Sequence, residues 1–507
     1  MKSTLSSVII KSLETNKSKY LIGRKINEKW IWDNKKQLLN SISYCHDYLK
    51  SENIYKGDRV AYKGVNSVEW LSWNIACNSL GGIWVPMYSD QSDNYCKHVI
   101  NDCNPKVLIT DNPNKQEENV KTLHNKIEPY KNSNSIDNVY NDISTLIYTS
   151  GTTGNPKGVV LSNENILSNI KDIHSRFSSM PETVSLNILP WAHIYSQTCE
   201  LYYNIINENK MALSSNRKNF LNELKEIEPD VLYVVPRILE LIKSKIDFLD
   251  APLIKNVIPY ILKRVFGKNL KIIYVGGAKL ESSTREFFKR NNIIICEGYG
   301  CTELSPMVCV NHMEYPRDEK SVGKILDNVL VEIIDNEIQV SGPNVMKGYW
   351  NNEKATKEVL VERDNKIWYK TGDGGYVKDG FLFYTGRNSY NYKLSNGKFV
   401  NVENVESVVK RHIKCSCVLF SRDNIHNELI VNKEIHYDVL EQINNDLNKY
   451  LRIQKTHWLE DKDWEKYLTP KMSIKRKELI KDFIDNKLNI IIIDNYINKR
   501  YNIRLKA

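Results

Sequence analysis

Long hydrophobic runs are missing from this chain of 507 residues. A membrane-spanning helix needs about 18 or more consecutive apolar residues, and no stretch approaches that length. The opening residues, Met1 to Ile10, contain an apolar run that is too short for a secretory signal peptide. We therefore expect a cytoplasmic protein without a signal peptide or a transmembrane segment, although contact with a membrane surface stays open.

Cysteine pairs with the spacing of a zinc site are also missing. The ten cysteines are scattered, and only Cys415 and Cys417 lie close together in the chain. A chain of this size does not need a disulfide framework, so reduced thiols are the simplest interpretation. No block of basic residues or nucleic-acid-binding module is present, and we expect no nucleic-acid partner.

The composition that remains is typical of a globular protein, with 41% apolar and 26% charged residues. The length predicts two or more domains. A net charge of +10 suits acidic partners such as nucleotides, coenzyme A or an anionic membrane, but we interpret it mainly as a solvated surface. The composition does not indicate an oligomeric state.

Strand-like and helix-like segments alternate through the first half of the chain, which predicts an α/β sheet. A helix is expected from Trp30 to about Leu49, with Asp33 as its N-cap. The segment 112–141 is polar and is predicted to be a loop-rich connection. The other elements predicted here are helices over 67–80 and 162–177 and strands over 83–87, 107–110 and 272–275.

One stretch, residues 146–161, has a composition suited to binding an anion. Apolar and β-branched residues flank three glycines, four Ser or Thr hydroxyls, Pro156 and Lys157. Glycines let a turn wrap its N–H and O–H groups around phosphate oxygens, and the lysine adds a point charge. The stretch is not a GxxxxGK[ST] phosphate loop, because Gly158 follows Lys157.

This stretch resembles the phosphate-binding signature of the acyl-adenylate-forming superfamily, which includes acyl-CoA synthetases, luciferases and the adenylation domains of peptide synthetases. The segments 189–193, 297–303 and 369–376 are similar to further motifs of that family, and together they read most like long-chain fatty acyl-CoA synthetases. The resemblance implies a large, multi-layered N-terminal α/β domain, residues 1–387. It also implies a smaller, mobile α+β C-terminal domain, residues 388–507, with the active site in the cleft between the two.

The resemblance implies a reaction in two halves. A fatty carboxylate attacks ATP to give acyl-AMP and pyrophosphate, and the thiol of coenzyme A then displaces AMP. Magnesium is the implied cofactor, while ATP, coenzyme A and a fatty acid are the implied partners. The length of the acyl chain cannot be read from the sequence.

The resemblance also assigns roles to individual residues. Glu303 and Thr149 would hold Mg²⁺, whose preferred ligands are hard oxygens. The residues assigned to catalysis are Lys157, His193, Thr302, Glu303, Arg387, Lys471 and Lys475. The residues assigned to ATP or AMP are Thr149, Ser150, Gly151, Thr152, Thr153, Gly154, Lys157, Gly276, Gly277, Ala278, Glu297, Gly298, Tyr299, Gly300, Thr302, Asp373, Arg387 and Lys393.

Two of these assignments compete with plainer interpretations. A lone histidine is usually structural, but the run Leu189–Pro190–Trp191–Ala192–His193 favours His193 near the acyl carboxylate. Asp373 is either the acceptor of both ribose hydroxyls, as the resemblance implies, or an aspartate in a solvated turn.

Two positions depart from the pattern of the resembled enzymes. Ser389 stands where long-chain enzymes usually have the pivot lysine, and Ser473 stands where the closing motif has its catalytic lysine. Lys471 and Lys475 flank Ser473 and are candidates to replace that charge. Two alternatives therefore stay open: an acyl-AMP ligase that passes the acyl group to a carrier protein, and a nucleotide-binding protein without catalysis.

Overall fold

The computed structural model describes residues 3–112, 120–127, 136–149, 156–177, 182–216, 218–246, 257–314, 316–468 and 474–488, and the backbone of 491–493 and 505–506. The chain forms two compact units, each assembled from several stretches. Unit 1 consists of Met1–Glu332, Gln339–Lys370 and Lys378–Leu382, and unit 2 consists of Ile333–Ile338, Thr371–Val377 and Phe383–Ala507.

The helices and strands are numbered here in chain order. The helices are α1 Leu5–Glu14, α2 Lys35–Ser51, α3 Val68–Ser79, α4 Asp93–Cys103, α5 Asn163–Phe177, α6 Ile194–Ser196, α7 Tyr203–Ile206, α8 Phe220–Ile227, α9 Pro236–Ile246, α10 Ile258–Phe266, α11 Ser282–Arg290, α12 Glu353–Val359, α13 Val402–His412, α14 Tyr437–Asn445, α15 Asp461–Trp464 and α16 Arg476–Ile484. A π-helical segment, Gln197–Tyr202, joins α6 to α7.

The strands are β1 Tyr20–Ile26, β2 Lys29–Asn34, β3 Arg59–Gly64, β4 Ile83–Tyr88, β5 Val107–Thr110, β6 Lys121–His124, β7 Ile143–Thr149, β8 Lys157–Ser162, β9 Val184–Asn187, β10 Lys210–Leu213, β11 Val231–Val234, β12 Ile272–Val275, β13 Ile294–Gly300, β14 Met307–Val310, β15 Gly323–Ile325, β16 Leu330–Ile334, β17 Glu337–Ser341, β18 Gly348–Tyr349, β19 Leu360–Arg363, β20 Lys366–Lys370, β21 Asp373–Lys378, β22 Phe381–Arg387, β23 Tyr392–Lys393, β24 Phe399–Val400, β25 Cys417–Phe420, β26 Asn427–Val431, β27 Ile453–Trp458, β28 Ile491–Ile493 and β29 Leu505–Lys506.

Unit 1 is built around two large sheets. In one, the strands follow the order β2-β1-β10-β9-β11-β12-β13-β14-β15, and in the other β18-β8-β7-β4-β3-β5-β6. Strands β9 to β13 of the first sheet are mutually parallel. Most apolar residues of β9 to β12 are buried, as expected for strands that are covered on both faces, whereas Ile294 and Ile295 of β13 are partly buried. A cluster that includes Leu224, Leu262 and Phe287 packs the surrounding helices against these strands.

Unit 2 contains a sheet in the order β25-β26-β27-β28-β29, covered on both faces. Alternate residues of β25 enter different clusters: Cys417 and Leu419 pack with α13 and α14, whereas Val418 and Phe420 pack with α15 and α16. This alternation follows from the period of two in a β-strand. The predicted α/β fold class is confirmed by the mixed sheets and by the likeness to solved structures given below.

Several predicted elements are present, and one is wrong. The strands at 83–87 and 107–110 and the helices at 67–80 and 162–177 occur within a residue or two of their predicted bounds. The helix predicted from Trp30 begins only at Lys35, with Asn34 and not Asp33 as its N-cap. Residues 29–34 form β2, because Trp30 and its neighbours pair with β1 in an antiparallel ladder.

Neither a helix that could span a membrane nor a disulfide occurs in the described ranges. Within the described ranges, no helix combines the length and the apolar character needed to cross a membrane. All ten cysteines lie in those ranges, and no disulfide joins any of them.

Candidate active site

The stem of the predicted phosphate loop is a β-hairpin. Strands β7 and β8 are antiparallel, and Thr149 at the end of β7 lies opposite Lys157 at the start of β8. The predicted loop residues Ser150, Gly151, Thr152, Thr153 and Gly154 lie outside the described residues. The structure therefore gives the two ends of the loop, which emerge side by side.

A third strand adds an aromatic ring to this stem. Strand β18 pairs with β8, with Tyr349 opposite Val159. The Lys157 ammonium lies 5.0 Å from the centroid of the Tyr349 ring. At this distance a lysine is attracted to the face of a tyrosine, so the ring favours one position of the Lys157 head group.

The same tyrosine contacts the predicted magnesium ligand. The Tyr349 hydroxyl donates a hydrogen bond to Glu303 Oε1 over 2.9 Å, and the Met346 N–H donates to the Glu303 carbonyl over 2.9 Å. Burial, reinforced by the Glu303 charge, raises the pKa of Tyr349, which keeps the phenol protonated and able to donate. Tyr349 thus brings Lys157 and Glu303 together, a role that the sequence analysis missed.

The carboxyl ends of the parallel strands place the other predicted nucleotide residues of unit 1. Strands β12 and β13 pair in parallel, with Val275 opposite Glu297, so that Gly276 and the residues after Glu297 lie at one edge of the sheet. Ligands of α/β sheets bind at such carboxyl ends. Gly277 and Ala278 are exposed at this edge, whereas Gly276 is buried.

Gly276 lies against an aromatic ring. A Cβ atom at Gly276 would lie 3.3 Å from the ring of Tyr195, which is tighter than usual packing. The Tyr195 hydroxyl donates to the carbonyl of Tyr274 over 3.2 Å, and this bond fixes the ring beneath β12. The glycine therefore permits a close approach of backbone to ring.

Glu297 makes its contacts within the protein. It is buried, forms an ion pair with Arg285 and accepts a hydrogen bond from the Leu280 N–H over 3.2 Å. Burial raises the pKa of Glu297, while Arg285 opposes that effect. These contacts hold the loop after β12 in place, and the contact of Glu297 with nucleotide stays a prediction.

The end of β13 combines crowded backbone with polar side chains. A Cβ atom at Gly300 would overlap the carbonyl oxygen of Pro306, so only glycine fits there. Gly298 and Tyr299 are half-buried, and Thr302 is buried at the start of a short 3₁₀ helix. The structure thus places Tyr299, Thr302 and Glu303 in one short segment beyond the sheet edge.

His193 lies at the end of the loop that follows β9. Its Nδ1 atom accepts a hydrogen bond from the Tyr195 N–H over 3.2 Å, which caps the short helix α6. In the neutral imidazole the proton therefore resides on Nε2, which becomes a donor. The ring is half-buried, and in the structure its Nδ1 atom caps α6.

In unit 2, Asp373 and Arg387 are adjacent. The Arg387 Nε atom lies 3.0 Å from Asp373 Oδ1, and the Asp373 N–H donates to the Thr371 hydroxyl oxygen over 3.0 Å. The Arg387 N–H donates to Glu403 Oε1 over 3.3 Å, and the Tyr384 hydroxyl donates to the same oxygen over 2.9 Å. Asp373, the predicted ribose acceptor, is therefore buried and paired with Arg387, the predicted fork donor, which is half-exposed.

The remaining predicted residues of unit 2 are lysines. Lys393 is exposed on the two-stranded ribbon β23-β24. Lys471 and the substituted position Ser473 lie outside the described residues. Lys475 is described: Leu468 bridges to Ile474, and the Lys475 N–H donates to the Tyr467 carbonyl over 2.8 Å.

The donor atoms available for a metal are oxygens. No cluster of three or more His, Cys, Asp or Glu side chains occurs in the part of the chain that the structure describes. Glu303 offers a carboxylate and Thr149 a hydroxyl, which are the hard donors that Mg²⁺ prefers. Magnesium commonly binds one or two carboxylates together with substrate phosphates, so these residues fit it chemically.

Comparison with known proteins gives the family. The AMP-binding enzyme family matches residues 36–350. Long chain acyl-CoA synthetase 4 of Arabidopsis thaliana is 25% identical over 474 residues, and the match covers 75% of this chain and 70% of the Arabidopsis protein. The long-chain-fatty-acid–CoA ligase ACSBG1 of Rattus norvegicus is 26% identical over 506 residues, covering 81% of this chain and 68% of its own.

Solved structures share the fold. The anthranilate CoA ligase AuaEII in complex with anthranoyl-AMP superposes with a TM-score of 0.80 at 17% identity, covering 96% of this chain and 98% of its own. O-succinylbenzoate CoA synthetase of Bacillus subtilis, in complex with ATP and a magnesium ion, superposes with a TM-score of 0.77 at 21% identity. The match covers 93% of this chain and 99% of the synthetase. The resemblance drawn from the sequence motifs is confirmed: the chain belongs to the AMP-binding enzyme family and is an adenylate-forming ligase.

Proposed function

We propose that the protein activates a long-chain fatty acid as acyl-AMP and transfers the acyl group to coenzyme A. The observation that carries the adenylation step is the contact of Tyr349 with both Lys157 and Glu303 at the phosphate-loop stem. Curated relatives at about a quarter identity that act on long-chain fatty acids support the choice of acid. The sequence motif around His193 supports the same choice.

In the first half-reaction, a carboxylate oxygen of the fatty acid forms a bond to the α-phosphorus of ATP. The bond from that phosphorus to the bridging oxygen breaks, and pyrophosphate leaves. In the second half-reaction, the sulfur of coenzyme A bonds to the acyl carbonyl carbon. The carbon–oxygen bond to AMP breaks, and the thiol proton is lost to solvent.

The residues of unit 1 would act by position and charge. Lys157 and the hydroxyls of the loop bind the phosphates that become pyrophosphate, and Tyr349 holds Lys157 and Glu303 in place. A magnesium ion, held by Glu303 and Thr149, would offset the charge on the phosphates. His193 Nε2 donates to the carboxylate, and Gly277, Ala278 and Tyr299 hold adenine. Preorganised donors of this kind stabilise developing charge without covalent catalysis by the protein.

The residues of unit 2 would complete the nucleotide site. Asp373 accepts the ribose hydroxyls, and Arg387, held beside it, donates to ribose or phosphate. Lys475 or Lys471 supplies the charge missing at Ser473. The division into residues 1–387 and 388–507, with a hinge at Ser389, belongs to the same proposal.

The test uses the purified chain, Mg²⁺-ATP and a ladder of fatty acids from short to very long. Pyrophosphate release and, by mass spectrometry, acyl-CoA are followed with and without coenzyme A. We expect acyl-CoA with a maximum at one long chain length. Pyrophosphate and acyl-AMP without acyl-CoA would instead indicate a carrier-protein acceptor. No turnover with any acid, while ATP still binds, would contradict the proposal.

A further inference from the structure

The loop that carries His193 is held by side chains on both sides. The Leu189 carbonyl accepts hydrogen bonds from Asn66 Nδ2 over 2.8 Å, from Asn187 Nδ2 over 3.0 Å and from the Ser196 hydroxyl over 3.0 Å. The Trp191 N–H donates to Asn66 Oδ1 over 2.8 Å. Both ends of the turn before His193 are therefore fixed by side chains, of which Asn187 and Ser196 are buried and Asn66 is half-buried.

The π-helical segment secures the other side of this loop. Gln197 Nε2 donates to the Trp191 carbonyl over 2.8 Å, and the Gln197 N–H donates to the His193 carbonyl over 3.0 Å. A π-helical turn shifts the side chains that follow it relative to a regular helix, and such turns are frequent at functional sites. Here the turn places Glu200 beneath the loop.

Glu200 is the acceptor on which these donors converge. Its Oε2 atom accepts from Asn187 Nδ2 over 2.6 Å and from the Ser196 hydroxyl over 3.1 Å. The Asn187 amide has two hydrogens and donates to Glu200 and to the Leu189 carbonyl at once, so Glu200 orients that amide toward the loop. The single hydrogen of the Ser196 hydroxyl lies within reach of both acceptors and is shared between them. The side chain has no exposed surface, and within the described residues its Oε1 atom has no hydrogen-bond partner.

If this side chain served only to stabilise the fold, a carboxyl group would be a poor choice, because burying it destabilises the folded protein. Burial raises the pKa of Glu200 to about 8, so the group is mostly protonated at neutral pH. An apolar side chain of similar size would fill the same volume without burying an unsatisfied oxygen. The presence of the Glu200 carboxyl group is therefore explained by its hydrogen bonds with Asn187 and Ser196, the two donors that hold the loop.

We propose that Glu200 is a positioning residue for adenylation, which orients the His193 ring through Asn187, Ser196 and the Leu189 carbonyl. The inference rests on the proposed function, because it assigns Glu200 to the step in which His193 contacts the carboxylate. Glu200 itself contacts neither substrate nor nucleotide in this proposal. It acts by fixing the loop from which His193 projects.

The test compares Glu200→Leu, which removes the acceptor, with Glu200→Gln, which keeps one. Acyl-AMP formation is measured as acid-dependent pyrophosphate release. We expect Glu200→Leu to lower kcat by about tenfold to a hundredfold, as misplaced catalytic groups do, with the KM for ATP unchanged. Glu200→Gln should restore most of that activity, because its amide oxygen still accepts from Asn187 and Ser196.

A double-mutant cycle separates positioning from general destabilisation. In a His193→Ala background, Glu200→Leu should cause less than about a twofold further loss, since the two residues act through one ring. Glu223 provides a matched control, because it is equally buried and accepts from Ser214 and Ser215. Glu223→Leu should lower Tm without changing the kcat of the folded protein.

The outcomes separate this inference from the proposed function. If the wild type forms acyl-AMP and Glu200→Leu keeps its kcat, or if its loss adds in full to that of His193→Ala, the inference is wrong. If the wild type forms no acyl-AMP with any acid, the proposed function fails first. Should Glu200→Leu not fold, Ser196→Ala removes one donor alone and is expected to lower kcat in the same direction.

Discussion

At the scale of single residues, the phenol of Tyr349 lies between the two charged groups predicted to handle the phosphates of ATP. Its hydroxyl donates to Glu303, and its ring faces the Lys157 ammonium. The two interactions use different parts of the side chain. Removing the hydroxyl alone therefore separates the role toward Glu303 from the role toward Lys157.

Tyr349→Phe keeps the ring and removes the donor. A hydrogen bond to a charged group contributes about 1.5–3 kcal/mol, so we expect kcat for pyrophosphate release to fall about tenfold or more. The magnesium concentration needed for half-maximal rate should rise, because Glu303 is less well oriented. Tyr260→Phe, which removes a hydroxyl from an exposed tyrosine, should have no effect. An unchanged magnesium dependence would show that Tyr349 does not act through Glu303.

The raised pKa of Glu200 predicts a pH effect on stability. The pKa rises from an ordinary 4.5 to about 8 on folding because burial disfavours the carboxylate. The stability that depends on the protonated group is complete below pH 4.5 and is lost as the pH rises through 8. The glutamine of Glu200→Gln does not titrate. The free energy of unfolding of this variant should therefore rise relative to that of the wild type by up to about 1.4 kcal/mol per pH unit in this window.

Denaturant unfolding of both proteins between pH 5 and pH 8 measures this difference. The titratable neighbours Tyr195, Cys199 and Tyr233 stay neutral in the window, because burial raises their pKa values. Parallel stability curves for wild type and Glu200→Gln would mean that the carboxyl is already ionised when folded.

At the scale of secondary structure elements, the site depends on where strands end. The turn after β13 is possible because Gly300 lacks a Cβ atom that would overlap the Pro306 carbonyl. Gly300→Ala should lower the free energy of unfolding by about 3 kcal/mol or more, because the clash is with backbone that cannot move aside. Gly298→Ala, whose Cβ would lie 3.3 Å from the nearest atom, should cost less. Thermal unfolding of both variants tests this order.

The residues that flank Ser473 on either side of the chain are held in place. Leu468 and Ile474 form an antiparallel bridge, and the neighbouring Arg476 forms a buried ion pair with Glu406. Arg476 is thereby committed to the fold, whereas the Lys475 side chain is 39% exposed and its ammonium lies 3.4 Å from Glu478.

Lys475→Ala should therefore slow acyl-AMP formation about a hundredfold, as loss of a positioned charge commonly does. Lys477→Ala, which removes an exposed lysine from the same helix, is the control. Lys471→Ala is measured beside them. Equal rates for all three variants and the wild type would exclude both lysines as the replacement for the charge missing at Ser473.

At the scale of the whole molecule, local patterns predicted the strands that are buried and the helices with clear caps. The helix predicted over 67–80 is present as α3, and the structure shows that Ser67 caps it. The prediction failed at Trp30, where the decisive interaction is pairing with β1 and a hydrogen bond from the indole to Glu226. The pairing with β1 runs through a tight turn at Asn27 and Glu28, both with positive φ, which the prediction overlooked. The contact with Glu226, 196 residues away, is invisible to a window of neighbouring residues.

Residue types and their spacing along the chain were enough to predict the family, the order of the motifs and the list of nucleotide residues. Which side chains meet depends on the folded chain. Tyr349 reaches Lys157 and Glu303 through the pairing of β18 with β8, and Glu200 reaches the His193 loop through a π-helical turn. Neither contact follows from spacing, because each is fixed by strand pairing and packing between distant segments.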